Sequence, residues 1–411
     1  MISQWYDPEQ GAAIMPGTIA RALRERGNDV QVVTGFPNYP AGQLYPGYRV
    51  RPYQREELHG VTVHRGPLYV SHDANPKRRA TNYLSYAASA SAIAVTRLGK
   101  IDVTLVHSGP ATVAIPAMAL RALRRIPYVV HVQDLWPQSV TASGFLAEGQ
   151  HRRVEASLHR FCDIVYRHAE SIAVTSPGMA ELIRARGVEQ RKISVIPDWA
   201  DEDHFRPVRP SSDILSEMGP FRPFTVMYAG AMGEVQALEV LIEAAAMLRD
   251  HRDIGFLLVG GGVAEPSLRA RASDARLDNV RFIGHQPVER MAEVLALGDI
   301  QVISLKDLPI FRTTLPSKIQ ATLAAGRPII GALAGDAAAL IHDSGSGLTT
   351  TPGSANELVA AILKTAAMPA EERRAWGDCG RAYYIDHLSR KTGAQALNDL
   401  LQSARKEGTR S

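Results

Sequence analysis

Between Phe311 and Ile330 the chain reads "FRTTLPSKIQATLAAGRPII", with three basic residues, Arg312, Lys318 and Arg327, and no Asp, Glu or His. A loop entering a helix, then a glycine and an apolar strand, suits anion binding. The helix start offers unpaired N–H groups and the positive end of its dipole. "LPSK" fits such a start, with Pro316 and Ser317 near it and Lys318 in the first turn. A first-turn cation works against the dipole, which makes sense where an anion sits between. Arg312 and Lys318 are therefore candidate phosphate clamps; a solvated surface role is the plain alternative for each. The stretch can hold a ligand, but it carries no acid or base for proton chemistry.

Two other stretches have the right residue types. "VMYAGAMGEVQALEVLIEAA" and "FLLVGGGVAEPSLRARA" each run strand, glycine turn, helix, with Gly230 and Gly233 in one and Gly260 and Gly261 in the other. Glycines let backbone approach a phosphate, although a tight turn without ligand uses the same residues. Neither completes a dinucleotide fingerprint, but two such turns close together favour a nucleotide. Asp134, in "QDLWPQ" after an apolar strand, is the candidate carboxylate for contacting a donor sugar or orienting an acceptor; a turn Asp would look the same. Gly11 lies in a polar loop after the first strand. "GFPNYPAGQLYPGYRVRPYQREELHG" places Tyr39, Tyr45, Tyr48 and Tyr53 in one long loop, where flat rings suit sugars or pack on a sheet. The 13 histidines show no paired ligand spacing, so no metal site is expected.

These residues need a scaffold, and the pattern supplies one. Short apolar, β-branched runs alternate with helix-period segments, which signals repeated βα units and parallel sheets. Expected strands are Val30–Thr34, Val61–His64, Val103–His107, Tyr128–Val132, Ile172–Val174 and Ile193–Ile196, then Phe224–Ala229, Phe256–Val259, Val280–Ile283, Ile300–Ser304 and Pro328–Gly331. Helices are expected at Thr18–Arg26, Thr112–Arg124 and Arg153–His168. "DEDHFRPVRPSSDILSEMGPFRP" reads as a linker. The expected organisation is a first domain over 1–200, a linker over 201–222, a second domain over 223–388, and a C-terminal helix over 389–411 returning to the first domain. Only Ile2 and Ser3 represent the first strand. Two residues look too short for a central strand, so a start upstream is expected, with natural truncation as the alternative.

Composition narrows the class. At 411 residues, 45% apolar and 21% charged, the chain reads as a soluble globular protein of two or three domains. No apolar run nears the ~18–20 residues a spanning helix needs, and no secretory signal is visible. Two cysteines, Cys162 and Cys379, give no disulfide framework, which suits a cytoplasmic setting. A net charge of +4 fits a phosphorylated ligand or an anionic membrane. No nucleic-acid signature accompanies it. "NPKRRATNYLSYAASASAIAV" joins a basic cluster to a small-residue apolar helix, which suits peripheral membrane contact or a solvated loop.

Taken in order, "SQWYDPEQGA", "GFPNYPAGQLYPGY", "VQDLWPQS", "VTSPGMAELI", "VIPDWADEDHFRP", "YAGAMGEVQALEVLIEAA", "LLVGGG" and "LPSKIQATLAAGRPII" resemble glycosyltransferase family 4. The likeness spans nearly the whole chain and is closest to the bacterial branch for O-antigen and capsule sugars, such as the N-acetyl-fucosamine transferases. It implies the α/β GT-B fold, two doubly wound Rossmann-like domains facing a central cleft. It also implies a retaining, same-face displacement without an obligate protein nucleophile, no cofactor or divalent ion, and a nucleoside-diphosphate sugar as donor. The family's two glutamates fall at Thr313 and Ala321 here, and its phosphate-binding Arg and Lys near Ala231 and Gln236. A histidine of its first domain is replaced by Gln133, beside Asp134, with His131 on the preceding strand. Either the chain is a degenerate relative, or its cations have moved to Arg312 and Lys318; Pro-Ser-Lys is usual in this branch, which favours the second.

The resulting expectation is a hexosyl- or aminohexosyl-transferase acting on a lipid-linked or cell-surface glycan, including a polyprenyl-linked acceptor, at the cytoplasmic side of the plasma membrane. Asp134 and Lys318 are the catalytic candidates. Gly230, Gly233, Gly260, Gly261, Arg312, Thr313, Pro316, Ser317, Lys318 and Gln320 are expected on the donor side. Gly11, Gln133, Asp134, Tyr39 and Tyr45 are expected on the acceptor side. The alternatives are an enzyme like UDP-N-acetylglucosamine 2-epimerase, which catalytic carboxylates would support, and a sugar-nucleotide-binding subunit without turnover.

Overall fold

The computed structural model describes every residue except 10, 73–74, 140–150, 219–221 and 409–411. It divides into two compact units, residues 1–197 with 393–411 and residues 198–392.

Among the described residues of the first unit, seven strands follow in chain order: β1 Gln31–Gly35, β2 Gln54–Leu58, β3 Val61–Gly66, β4 Thr104–Ser108, β5 Tyr128–Val132, β6 Ser171–Val174 and β7 Ile193–Val195. They form the rows β2-β3-β1 and β4-β5-β6-β7, parallel except for β2. Ile2 joins the rows. Its N–H donates to Leu105 O (2.8 Å) and its carbonyl accepts from His107 N (2.9 Å), while Val33 N donates to Met1 O (2.9 Å) and Ser3 N to Val33 O (3.2 Å). The two-residue segment expected to be too short therefore sits centrally, because five-residue strands on both sides complete its pairing. β4 and β5 are buried at every position, as expected for strands covered on both faces. Helices Ile14–Glu25, Pro76–Arg97 and Ala114–Arg124 follow strand ends. Helix Arg390–Gly408 closes the unit, with Asn28 Nδ2 donating to Asn398 Oδ1 at 2.9 Å.

The second unit carries β8 Phe224–Ala229, β9 Ile254–Val259, β10 Val280–Ile283, β11 Ile300–Ser304, β12 Ile329–Ala332 and β13 Gly347–Thr350. Their order is β10-β9-β8-β11-β12-β13, all parallel. The chain winds one way from β8 through β9 to β10 and then the other way from β11, so a topological switch lies between β8 and β11. Its core gathers Phe224, Val226, Tyr228, Phe256, Leu258 and Ile300 with Leu238, Leu241 and Leu358 from covering segments. The stretch expected as a linker belongs to this unit. Helix Ser212–Met218 buries Ile214 and Met218 against Met227, Leu257 and Val259, an amphipathic pair hidden among Pro and Ser.

Candidate ligand sites

In the second unit, the loops after β8, β9, β11 and β12 interlock at the carboxyl ends of the strands. Met232 N donates to Gly261 O (2.8 Å) and Ala264 N to Met232 O (2.9 Å), tying the first two loops together. Lys306 N donates to Val235 O (2.9 Å), bringing in the loop after β11. A Cβ on Gly335, after β12, would lie 1.9 Å from Arg312 O. This closeness is what the glycines serve. A Cβ on Gly260 (φ +122°) would lie 2.2 Å from Gly230 O, and one on Gly262 would lie 2.5 Å from Met232 O.

The same contacts correct one part of the expected donor site. The N–H of Gly230 already donates to Val259 O, that of Gly260 to Ile283 O, and that of Gly233 to Gln236 Oε1, each at 2.9 Å. These three glycines therefore allow close packing rather than offering N–H groups to a phosphate. Gly261 keeps the close approach, its carbonyl engaged by Met232.

Lys318 stands out by what surrounds it. It is the second residue of helix Ser317–Ala324, whose first turn holds no acid. Its side chain folds onto the first glycine turn, where a Cβ on Gly230 would meet Lys318 Cε at 2.5 Å and Nζ at 3.0 Å. Nζ lies 5.0 Å from the centre of the Tyr228 ring, a face that attracts cations. Burial alone lowers its pKa to about 8, with no nearby carboxylate acting on it. Lys318 thus carries a half-buried ammonium at the switch point, folded against the Gly230 turn.

Arg312 differs. It is exposed, and its guanidinium grips Asp307 with two bonds of 2.9 Å, which raises its pKa. The expected clamp role therefore has a competitor in Asp307, five residues upstream and outside the acid-free stretch. Thr313 donates from Oγ1 to Ile310 O (3.0 Å), and Thr314 does likewise (2.9 Å), stiffening the turn Pro309–Thr313. Pro316 is the extended residue before the helix, Ser317 is exposed at its start, and no side chain caps it. Gln320 is 3% exposed, and its Oε1 has no partner among the described residues.

The first unit brings together another set, again where strands end. Tyr39 packs on Trp5 with its ring tilted by 43° (ring centres 4.9 Å) and meets His72 edge-on (4.8 Å). Gly11 comes within reach, its ideal Cβ 3.9 Å from the Tyr39 ring. Tyr45 donates to Tyr39 O at 2.9 Å, so it props the wall rather than lining it. Asp134 is exposed, and its charge raises the hydroxyl pKa of both Tyr39 and Tyr83 after the effect of their burial. Gln133 N donates to Ser108 O (3.0 Å), and its amide lies 3.3 Å from His131 Nε2. His131 is fully buried against Ile196 O, which keeps it from acting as an open base. Tyr48 and Tyr53 turn to the sheet, to Glu56 and His64.

Trp5, Glu9 and His72 were not singled out by the sequence reading. Glu9 is 3% exposed and accepts from three backbone N–H groups: Tyr6 (2.8 Å), Asn38 (2.7 Å) and Tyr39 (2.8 Å). Its pKa rises to about 7 because burial outweighs those bonds. Only "PE" within a glycine loop hinted at it. No group of metal-ligating side chains occurs among the described residues.

Known proteins share this chain's sequence and fold. The family described as Glycosyl transferase 4-like domain matches residues 10–199, and Glycosyl transferases group 1 matches residues 223–367. A protein of Escherichia coli K12, provisionally named as a colanic acid biosynthesis glycosyl transferase (WcaI), is 28% identical over 89% of this chain and 91% of its own length. A D-inositol 3-phosphate glycosyltransferase of Corynebacterium jeikeium is 24% identical over 97% and 93%. Among solved structures, Anabaena HepE in complex with UDP and glucose superposes with TM-score 0.69 at 16% identity, covering 98% of this chain and all of that one. WaaG, a glycosyltransferase involved in lipopolysaccharide biosynthesis, gives 0.65 at 16%, covering 97% and 98%. Two matched glycosyltransferase domains in this order, on two Rossmann-like units, place the chain in glycosyltransferase family 4, with the GT-B fold.

Proposed function

We propose that this glycosyltransferase is retaining and moves a hexose or amino-hexose from a nucleoside-diphosphate sugar to a lipid-linked or cell-surface glycan. The observation that carries the reading is Lys318, an ammonium held on the Gly230 turn by burial and a ring face, without a carboxylate partner. As the anomeric carbon–oxygen bond breaks, negative charge grows on the departing diphosphate. A preorganised cation in a partly dry site stabilises that charge. The start of helix Ser317–Ala324, with the positive end of its dipole, adds to it. The acceptor hydroxyl forms its bond to the anomeric carbon on the face the phosphate leaves, and the leaving phosphate takes the hydroxyl proton. No protein nucleophile is required, which agrees with a donor side poor in acids.

The acceptor falls to the first unit, where Trp5, Tyr39 and His72 offer ring faces and Asp134 a carboxylate to orient a hydroxyl. WcaI, named for colanic acid biosynthesis, and WaaG, for lipopolysaccharide, favour a surface glycan as product. Lys77 and Arg78 are exposed at the start of helix Pro76–Arg97, with Leu84 57% exposed along it, which suits contact with a cytoplasmic membrane face. No helix among the described residues is long and apolar enough to cross a membrane.

The test is a panel of UDP-, GDP- and dTDP-sugars on the purified protein, read as nucleotide release and as a shift in Tm. One donor family should do both. A protein that releases no nucleotide and whose Tm no nucleotide moves is not this enzyme.

A further inference from the structure

Three loops of the first unit meet at the rings of Trp5, Tyr39 and His72. Residues 4–9 carry Trp5, residues 36–42 carry Tyr39, and residues 67–72 carry His72; a Cβ on Gly42 would lie 2.6 Å from His72 N, so the last two loops touch through backbone. Glu9 joins the first two. One of its oxygens accepts from Tyr6 N, directly after Trp5, and the other accepts from Asn38 N and Tyr39 N. Each ring of the tilted Trp5–Tyr39 pair is thus anchored within one residue of a bond to Glu9.

The charged neighbours do not explain Glu9 as an ordinary ion pair. Arg65, fully buried on β3, is bonded to Glu56 and to Gly35 O (2.9 Å). Arg21, on helix Ile14–Glu25, pairs with Asp7. Tyr48 and His59 join Asp7, Glu9 and Arg21 around a cavity of about 430 Å³, and outside its lining the Arg65 guanidinium and the Tyr39 hydroxyl interact with the Glu9 charge. Both oxygens of Glu9 face N–H donors. A proton, for which only Oε2 has a lone pair left, would neutralise the carboxylate and turn three charge-assisted bonds into weaker neutral ones.

We infer that Glu9 is a positioning residue: its ionised carboxylate holds Trp5 and Tyr39 as one rigid wall, and the wall loosens when that carboxylate takes a proton. That the wall receives the acceptor's sugar rests on the function proposed above; the staple itself does not. Burial raises the Glu9 pKa to about 7, so the change falls near neutral pH.

Incorporating 5-fluorotryptophan in place of the four tryptophans gives one ¹⁹F resonance per site, with Trp5 assigned by Trp5→Phe. Between about pH 5.5 and 8.5 the Trp5 signal should titrate with a midpoint near 7. It should stay still in Glu9→Gln and still titrate in His72→Gln, which removes the neighbouring imidazole. A static signal in the unmutated protein overturns the inference, as does titration that survives Glu9→Gln or vanishes in His72→Gln. Should Glu9→Gln not fold, Glu9→Asp serves. Its shorter carboxylate cannot span three donors, so at about pH 8.5 the Trp5 signal should already be displaced from its position in the unmutated protein, and an undisplaced signal overturns the staple. The readout needs no donor, acceptor or turnover. An inactive protein whose Trp5 titrates would sink the transferase reading alone, and an active one with a static Trp5 would sink the staple alone.

Discussion

Lys318 is where sequence and geometry meet most closely. "LPSK" announced a lysine at a helix start, but the sequence could not show that the side chain would fold back onto Gly230, over Tyr228, without an acid beside it. Lys318→Ala should lower turnover at least ~10-fold, or about 1.4 kcal/mol of transition-state stabilisation, while Tm stays level or rises because a poorly solvated charge is removed. Unaltered kinetics would return Lys318 to the role of a packing side chain. Its pH dependence has a definite sign. A lysine with its pKa lowered to about 8 is charged below that value and neutral above it, so donor KM should climb as pH rises through about 8. A bound diphosphate favours the charged form and shifts the rise upward. KM profiles from about pH 6.5 to 9.5 check this, and Lys318→Arg, which stays charged, should flatten the climb. Arg312 was equally visible in the sequence, yet its bidentate grip on Asp307 depends on how the turn Pro309–Thr313 folds, which no spacing rule gave. Glu9 was the least legible: a carboxylate in a polar loop looks solvated until the fold surrounds it.

At the level of elements, the βα alternation was readable because buried parallel strands are nearly continuous apolar runs. Tyr128–Val132, Phe224–Ala229, Val280–Ile283 and Ile300–Ser304 form where the pattern put them. β2 escaped notice because Gln54–Leu58 is polar and half exposed, an antiparallel edge strand whose partner, not its composition, makes it a strand. Helix Ser212–Met218 was hidden by flanking prolines, and β13 by its short "GLTT". The glycine turns were found, but the N–H groups of Gly230, Gly233 and Gly260 are already engaged within the protein, so these three serve close packing. That reading is testable at Gly260. Alanine there would place a Cβ 2.2 Å from Gly230 O in a φ of +122° that side chains disfavour. Gly260→Ala should destabilise the second unit by roughly 2–4 kcal/mol and weaken donor binding with it, because the turn under Lys318 must shift. Chemical denaturation followed by circular dichroism measures the first effect. A loss below ~0.5 kcal/mol would mean the loops are not locked as described.

For the whole molecule, the order of chain and the order of space part company at the end. Residues 393–411 group with residues 1–197, although the second unit intervenes in sequence. Helix Arg390–Gly408 buries Ala394, Leu397, Leu401 and Ala404 at three- and four-residue spacing, the stripe of a helix packed on a core. Asn398 binds Asn28 and Arg405 lies 3.6 Å from Asp102, so polar contacts fix the register of the helix against early residues. The first unit is therefore finished only when the last helix is made. Leu397→Ala should destabilise that unit by about 2–5 kcal/mol, the usual loss for a large side chain removed from a packed site. Ending the chain after Thr392 should lower its stability further, removing two buried leucines worth about 1.5–3 kcal/mol each. Calorimetry on the truncated protein should show one transition moved down, with the transition that responds to nucleotide left near its original temperature. Equal melting of full-length and shortened chains would show that the helix adds nothing to the first unit. A nucleotide-responsive transition that fell by the same amount would show instead that the last helix supports the second unit.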